Sequence, residues 1–121
     1  NPMIVRGQLD GGAVQGIGQA LSEHMVYDVE TGQPVTGSLM DYCAPRADNM
    51  ACNFVTEMDE STPCKNNPLG VKGVGELGTI GAAPSVVNAV ADALARGGHA
   101  QAAPGLQMPL TSGKLWAVLA G

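Results

Sequence analysis

The sequence predicts an α+β fold of two main amphipathic helices, a few short strands and glycine-rich loops. Three observations carry that prediction. Apolar residues recur every 3.6 positions over residues 8–28, at Ala13/Val14, Ile17, Ala20/Leu21 and His24/Met25, with His24 the one polar member of the stripe. The same period returns over residues 82–96, at Ala83, Val86/Val87, Val90 and Leu94. Between the two, residues 53–59 alternate and contain β-favouring types, which predicts a strand.

Each element has local reasons. Asp10 is a candidate N-cap or first-turn acid for the first helix. Its early glycines are costly, at about 0.8–1 kcal/mol each relative to alanine in a helix interior. They are explained if another backbone or a ligand must come close. Residues 29–34 read as a turn, 35–40 as a short extended stretch, 41–51 as loop and 61–70 as a proline- and asparagine-bearing loop. Pro84 suits the first turn of the second helix, and Gly97-Gly98 supplies its stop. Residues 99–110 read as a linker, after which Thr111 caps a short last helix with Leu115, Trp116 and Leu119 on its apolar side.

Composition narrows the function classes. Charged residues make up 14% of the 121-residue chain and aromatics 3%, against about 25% charged in an ordinary soluble domain. So little charge, and so few large side chains, suit a piece covered by other protein; the alternative is a small Ala/Gly-rich helical domain. A net charge of −5, with the basic residues scattered, excludes a basic nucleic-acid surface. No stretch approaches the roughly 18 uninterrupted apolar residues of a membrane span, so none is expected. Cys43, Cys52 and Cys64 form no C-x-x-C pair, which argues against a zinc or iron–sulfur site in this chain and for three packing cysteines. An odd count without a secretory signal points to reduced thiols and a cytoplasmic location.

The most informative stretch runs from Gly70 to Gly81, with five glycines in twelve residues just before a helix. Such a loop exposes backbone N–H groups, and the helix start adds about half a positive charge. One carboxylate, Glu76, lies inside it. A carboxylate in a dry, backbone-lined site resists ionisation, which suits a general base. A first-turn acid stabilising the helix dipole explains the same residue equally well. Gly73-x-Gly75-x-x-Gly78 also matches the dinucleotide fingerprint, but that pattern requires a buried strand directly before it, and residues 66–72 are not one. No Gly-Lys-Ser/Thr occurs, so a Walker A loop is excluded.

Lys72-Gly73-Val74-Gly75-Glu76, followed by a small-residue helix, resembles the C-terminal signature of the xanthine dehydrogenase/aldehyde oxidase family. Upstream, residues 7–18 (Gly7-Gln8-Leu9-Asp10-Gly11-Gly12-Ala13-Val14-Gln15-Gly16-Ile17-Gly18) resemble that family's second C-terminal motif, and Asn1-Pro2 its preceding Asn-Pro. Residues 77–84 after the glutamate are more similar to the bacterial carbon monoxide dehydrogenase-like members. The resemblance implies that residues 1–98 are the C-terminal part of a larger molybdopterin-binding domain, with 99–121 as linker and short helix. It implies a molybdenum–pterin cofactor, with a cytosine dinucleotide form in view, that oxidises an aldehyde, an N-heterocycle or a similar small substrate with water-derived oxygen. Glu76 falls on the family's catalytic base. Gln8, Lys72, Gly73, Val74 and Gly75 fall on cofactor contacts; Gln15 is either a contact or a packing residue. The metal takes no ligand from this chain. Implied partners are the rest of the large subunit and iron–sulfur and flavin subunits or domains, and the piece alone is expected to be inactive. Two other readings stay open from the residues: a small nucleotide-binding oxidoreductase using the Gly73-x-Gly75-x-x-Gly78 loop, and a non-catalytic interaction module.

Overall fold

The structure is a computed structural model that describes residues 1–50 and 53–121. Cys52, one of the three expected packing cysteines, lies outside the described residues; Cys43 and Cys64 are free thiols. Three α-helices carry the fold: α1 (Pro2–Leu21), α2 (Leu77–Arg96) and α3 (Ser112–Ala120). Short 3-10 turns lie at Ala47–Asn49 and Ala100–Gly105.

Helix α1 begins six residues earlier than its apolar period predicts. Asn1 is the N-cap, its side chain accepting from the Met3 N–H at 3.1 Å, and Pro2 opens the helix. An asparagine cap and a first-position proline are a strong start signal. Asp10 is therefore not a cap. It lies mid-helix, 3.6 Å from Arg6 one turn back, and accepts from the Thr56 hydroxyl.

The helix also ends earlier than predicted, at Leu21. Residues 26–35 fold back on themselves instead: Val35 N–H donates to the Val26 carbonyl at 2.8 Å, and Tyr27 and Pro34 form an isolated antiparallel bridge. Gly32, at φ +70°, makes the turn. His24, expected on the helical stripe, sits exposed in the connection.

The two long helices pack along each other through glycine rather than large side chains. A Cβ on Gly12 would stand 2.9 Å from the Thr79 nitrogen. One on Gly16 would stand 2.5 Å from the Ala82 Cβ, and one on Gly78 would run into the Leu9 carbonyl. The expectation of two amphipathic helices is corrected for α1. Its buried positions are Gly12, Gly16, Gly18 and Ala20, so its contact face is small rather than apolar.

Helix α2 starts at Leu77, five residues before the predicted 82, which places Pro84 inside the helix instead of in its first turn. Pro84 has no N–H to give its preceding turn, and the Ser85 hydroxyl donates to the Gly81 carbonyl at 2.6 Å. By length and composition alone, α2 is the one helix among the described residues apolar enough to cross a membrane; its small-residue side is occupied by α1.

The strand expected over residues 53–59 is absent, and no strand occurs among the described residues. Alternation gives a segment two faces, but a strand needs a neighbour for its backbone groups. None of the described residues offers one. The fold is thus helical with long irregular connections, and the β part of the expectation is withdrawn. Helix α3 matches its prediction: Thr111 accepts from the Lys114 N–H. Its apolar side is uncovered, with Trp116 71% exposed.

Buried hydrophobic residues are few: Ala20, Ala83, Leu94 and Leu110. Leu110 N–H donates to the Ala20 carbonyl at 2.6 Å, which docks the segment before α3 onto the end of α1. Many large apolar side chains face outward, including Val29, Leu39, Met40, Val55 and Leu69.

Candidate functional site

The glycine loop is held from both ends. At its base, Cys64 N–H donates to the Gly70 carbonyl at 2.9 Å, and the Asn67 side chain makes paired bonds to the backbone of Val71. Gly70 turns the chain at φ +67°, a conformation that favours glycine. At the far end the loop runs directly into α2, with Glu76 as N-cap.

Sequence distance closes at one bond. Gln8 Nε2 donates to the Gly75 carbonyl at 2.7 Å across 67 residues. Two site residues expected from separate stretches therefore meet, one on α1 and one on the loop. The glycine seam makes this possible, because Gly12 and Gly78 let α1 and α2 approach close enough for a glutamine one turn earlier to reach the loop.

Lys72, Gly73 and Val74 line a cleft of about 680 Å³, together with Asp59 and Leu9. Gln8, Gly75 and Glu76 do not line it, so the expected site residues divide between the cleft and the start of α2. Asp59 holds its carboxyl below the usual carboxylate range, first because Ser61 hydrogen-bonds it and then because of the Lys72 charge. The acidic side of this cleft, with Glu57 and Glu60 alongside Asp59, was not singled out from the sequence. The local signal was the acidic run Glu57, Asp59 and Glu60 at the end of the expected strand.

Glu76 is exposed, and its side chain makes no capping hydrogen bond. Its backbone carbonyl accepts from the N–H groups of Thr79 and Ile80, at 3.1 and 3.0 Å. As N-cap it still lies at the positive end of the helix. Leu77 and Ile80, both more than 60% exposed, flank it. The dry surroundings expected of a general base are not supplied by the described residues.

Gln15 meets α2 rather than the loop: its Oε1 lies 3.4 Å from the Thr79 hydroxyl. The segment before the loop is turn and coil, so the strand that a dinucleotide fingerprint requires is absent among the described residues.

The glycines divide by what surrounds them. Gly12, Gly16 and Gly78 are filled against backbone or Cβ atoms, whereas nothing among the described residues lies within 4 Å of a Cβ built on Gly73, Gly75 or Gly81. None of these last three has a positive φ. Within this chain, neither sterics nor backbone conformation requires them to be glycine.

Comparison with known proteins shows which family the chain is similar to. Residues 1–51 match the family model described as a molybdopterin cofactor-binding domain. The chain is 49% identical over 107 residues to the 6-hydroxypseudooxynicotine dehydrogenase complex subunit gamma of Paenarthrobacter nicotinovorans, covering 86% of this chain and 13% of that protein. It is 37% identical to the carbon monoxide dehydrogenase large chain of Hydrogenophaga pseudoflava, over 96% of this chain and 14% of that one. Among solved structures, quinoline 2-oxidoreductase from Pseudomonas putida 86 superposes with a TM-score of 0.80 at 37% identity, over 99% of this chain and 14% of that one. The chain thus spans about an eighth of the length of the curated relatives it matches.

Proposed function

Because this chain belongs to the xanthine dehydrogenase/aldehyde oxidase family, we propose that it serves as the C-terminal part of the cofactor-binding large subunit of a molybdenum hydroxylase. Its substrate class is an aldehyde, an N-heterocycle or a similar small molecule, oxidised with oxygen derived from water. The observation that carries this reading is the bond from Gln8 to the Gly75 carbonyl. It joins the two glycine-bearing stretches into one surface and puts Glu76 at its edge.

The residues fit a molybdenum–pterin group. Gly73 and Gly75 offer bare main chain with room where a side chain would stand. With one N–H on Gly75, Gln8 keeps its second N–H and its Oε1 for a ligand. Lys72, Gly73, Val74 and Gly75 would hold the group through backbone, and the metal would take no ligand from this chain. When bound, the group supplies the two-electron oxidation and the oxygen delivered to substrate.

What this chain adds is the proton acceptor. The Glu76 carboxylate, when ionised, only accepts hydrogen bonds, and its place at a helix N-terminus orients it without a competing cap bond. To act as base it must be shielded from water. Leu77 and Ile80 provide the apolar rim on which a cover would close. That cover is the remainder of the large subunit, which also explains the many outward-facing apolar side chains. Iron–sulfur and flavin subunits or domains complete the proposed assembly in the cytoplasm, and the cytosine dinucleotide is the cofactor form to look for by nucleotide release.

In the assembled enzyme, Glu76→Gln is expected to lower turnover by roughly 10²–10⁴-fold with molybdenum and pterin content unchanged. Near-normal turnover removes Glu76 from the mechanism.

A further inference from the structure

We propose that Thr79 is a positioning residue for Glu76, acting through its hydroxyl on the backbone of α1. A threonine inside a helix ordinarily turns its hydroxyl to the carbonyl three or four residues back. Thr79 instead donates across the seam to the Gly12 carbonyl at 3.2 Å, with Gln15 Oε1 a second acceptor at 3.4 Å. That carbonyl belongs to a continuous helix and has a spare lone pair. It can be reached only because Gly12 and Gly78 carry no side chain: a Cβ on Gly12 would stand 2.9 Å from the Thr79 nitrogen and 3.0 Å from the Gly78 Cα.

The same residue holds Glu76 directly. Thr79 N–H donates to the Glu76 carbonyl at 3.1 Å, closing the first turn of α2. Thr79 therefore couples the peptide of Glu76 to a fixed point on α1. Gln8 fixes the neighbouring peptide, through the Gly75 carbonyl, from the same helix. Two side chains thus fix the Glu76 backbone to α1, one on each side. With no capping bond of its own, the carboxylate takes its direction from that backbone. Loss of the Thr79 bond frees the first turn of α2 to slide or rotate on the glycine seam, where no large side chains interlock to stop it.

This inference rests on the reading of Glu76 as the base, and its test is built to separate the two. In the assembled enzyme, Thr79→Val keeps the shape and removes the donor, whereas Thr79→Ser keeps the donor. Thr79→Val is expected to lower kcat by roughly 10- to 100-fold, the scale of an ångström-level misplacement, with KM and pterin content unchanged. Thr79→Ser is expected to stay within about threefold of the parent, since its hydroxyl has the same donor capacity. Amide exchange at residues 76–80 should quicken in Thr79→Val and not in Thr79→Ser. If Thr79→Val keeps parental kcat while Glu76→Gln abolishes turnover, positioning by Thr79 is wrong and the base stands. Loss of cofactor or of folded protein in step with activity in Thr79→Val makes the residue merely structural and also overturns the proposal. Parental turnover in Glu76→Gln brings down the underlying reading itself.

Discussion

Gly78 and Gly81 lie on one helix, three residues apart, and a methyl group added to each would meet opposite surroundings. At Gly78 it strikes the Leu9 carbonyl of α1; at Gly81 it meets open space. The contrast extends to two regions. Gly12, Gly16 and Gly78 form a filled seam between helices. Gly73, Gly75 and Gly81 form an open edge. The seam shows that a glycine-rich helix need not be weak, because the same residues that cost helix propensity admit a second backbone. The edge glycines meet no neighbour among the described residues, and the proposed function gives that bare main chain a ligand to hold.

The largest effect expected from breaking the contrast is at the seam. Gly78→Ala gains about 0.8–1 kcal/mol of helix propensity, but it forces backbone against backbone, and overpacking of that kind costs about 1–3 kcal/mol or more. Net destabilisation of up to about 2 kcal/mol is expected from denaturant unfolding. A Gly78→Ala protein as stable as the parent would mean that the helices do not approach as closely as described.

Gly75→Ala should do the reverse. Stability stays at the parental level, since the added Cβ has room, while cofactor occupancy or turnover of the assembled enzyme falls about tenfold, equivalent to about 1.4 kcal/mol. Unchanged occupancy and turnover would leave the open edge without a ligand.

A smaller effect sharpens the comparison within α2. Gly81→Ala is expected to raise the stability of the isolated chain by about 0.5–1 kcal/mol, opposite in sign to Gly78→Ala. Thermal melting of the two variants side by side reads the sign directly.

The smallest effect is electrostatic and confined to the edge. Asp59 has its folded-state value depressed, by Ser61 and then by Lys72. A depressed carboxylate contributes stability that is present above its unfolded value and is lost as pH falls through the folded one. Below the ordinary aspartate value of 3.8, the amides of residues 59–61 should lose protection, while the backbone contacts of Gly12 and Gly78 hold. Asp59→Asn should abolish that acid response. Equal loosening of seam and edge would show that the two regions do not behave separately.

Much of the candidate site was legible from local sequence. Glycine density around a lone carboxylate marked Lys72–Glu76 as a place where main chain is bared, whereas Gln8 was marked only by the family resemblance of residues 7–18. The helix limits were harder. Apolar periodicity located α2 but could not see its first five residues, because Leu77-Gly78-Thr79-Ile80-Gly81 reads as loop until a second helix packs on it. The start of α1 was written in Asn1-Pro2, a cap signal that the apolar period does not register. The segment over residues 53–59 had strand chemistry and no strand to pair with among the described residues.

By itself the sequence determined which residues are chemically available: the bare loop, its one acid, and a composition poor in charge that suits a covered surface. These are properties of residue type and near neighbours, and they do not need the fold. Only tertiary structure decided which glycines are occupied and which are open, because that depends on a backbone some 65 residues away. It also decided that Gln8 reaches from α1 to the Gly75 carbonyl and Thr79 from α2 to the Gly12 carbonyl. Such bonds require two helices at glycine-contact distance, and no periodicity within either helix specifies what the other presents there.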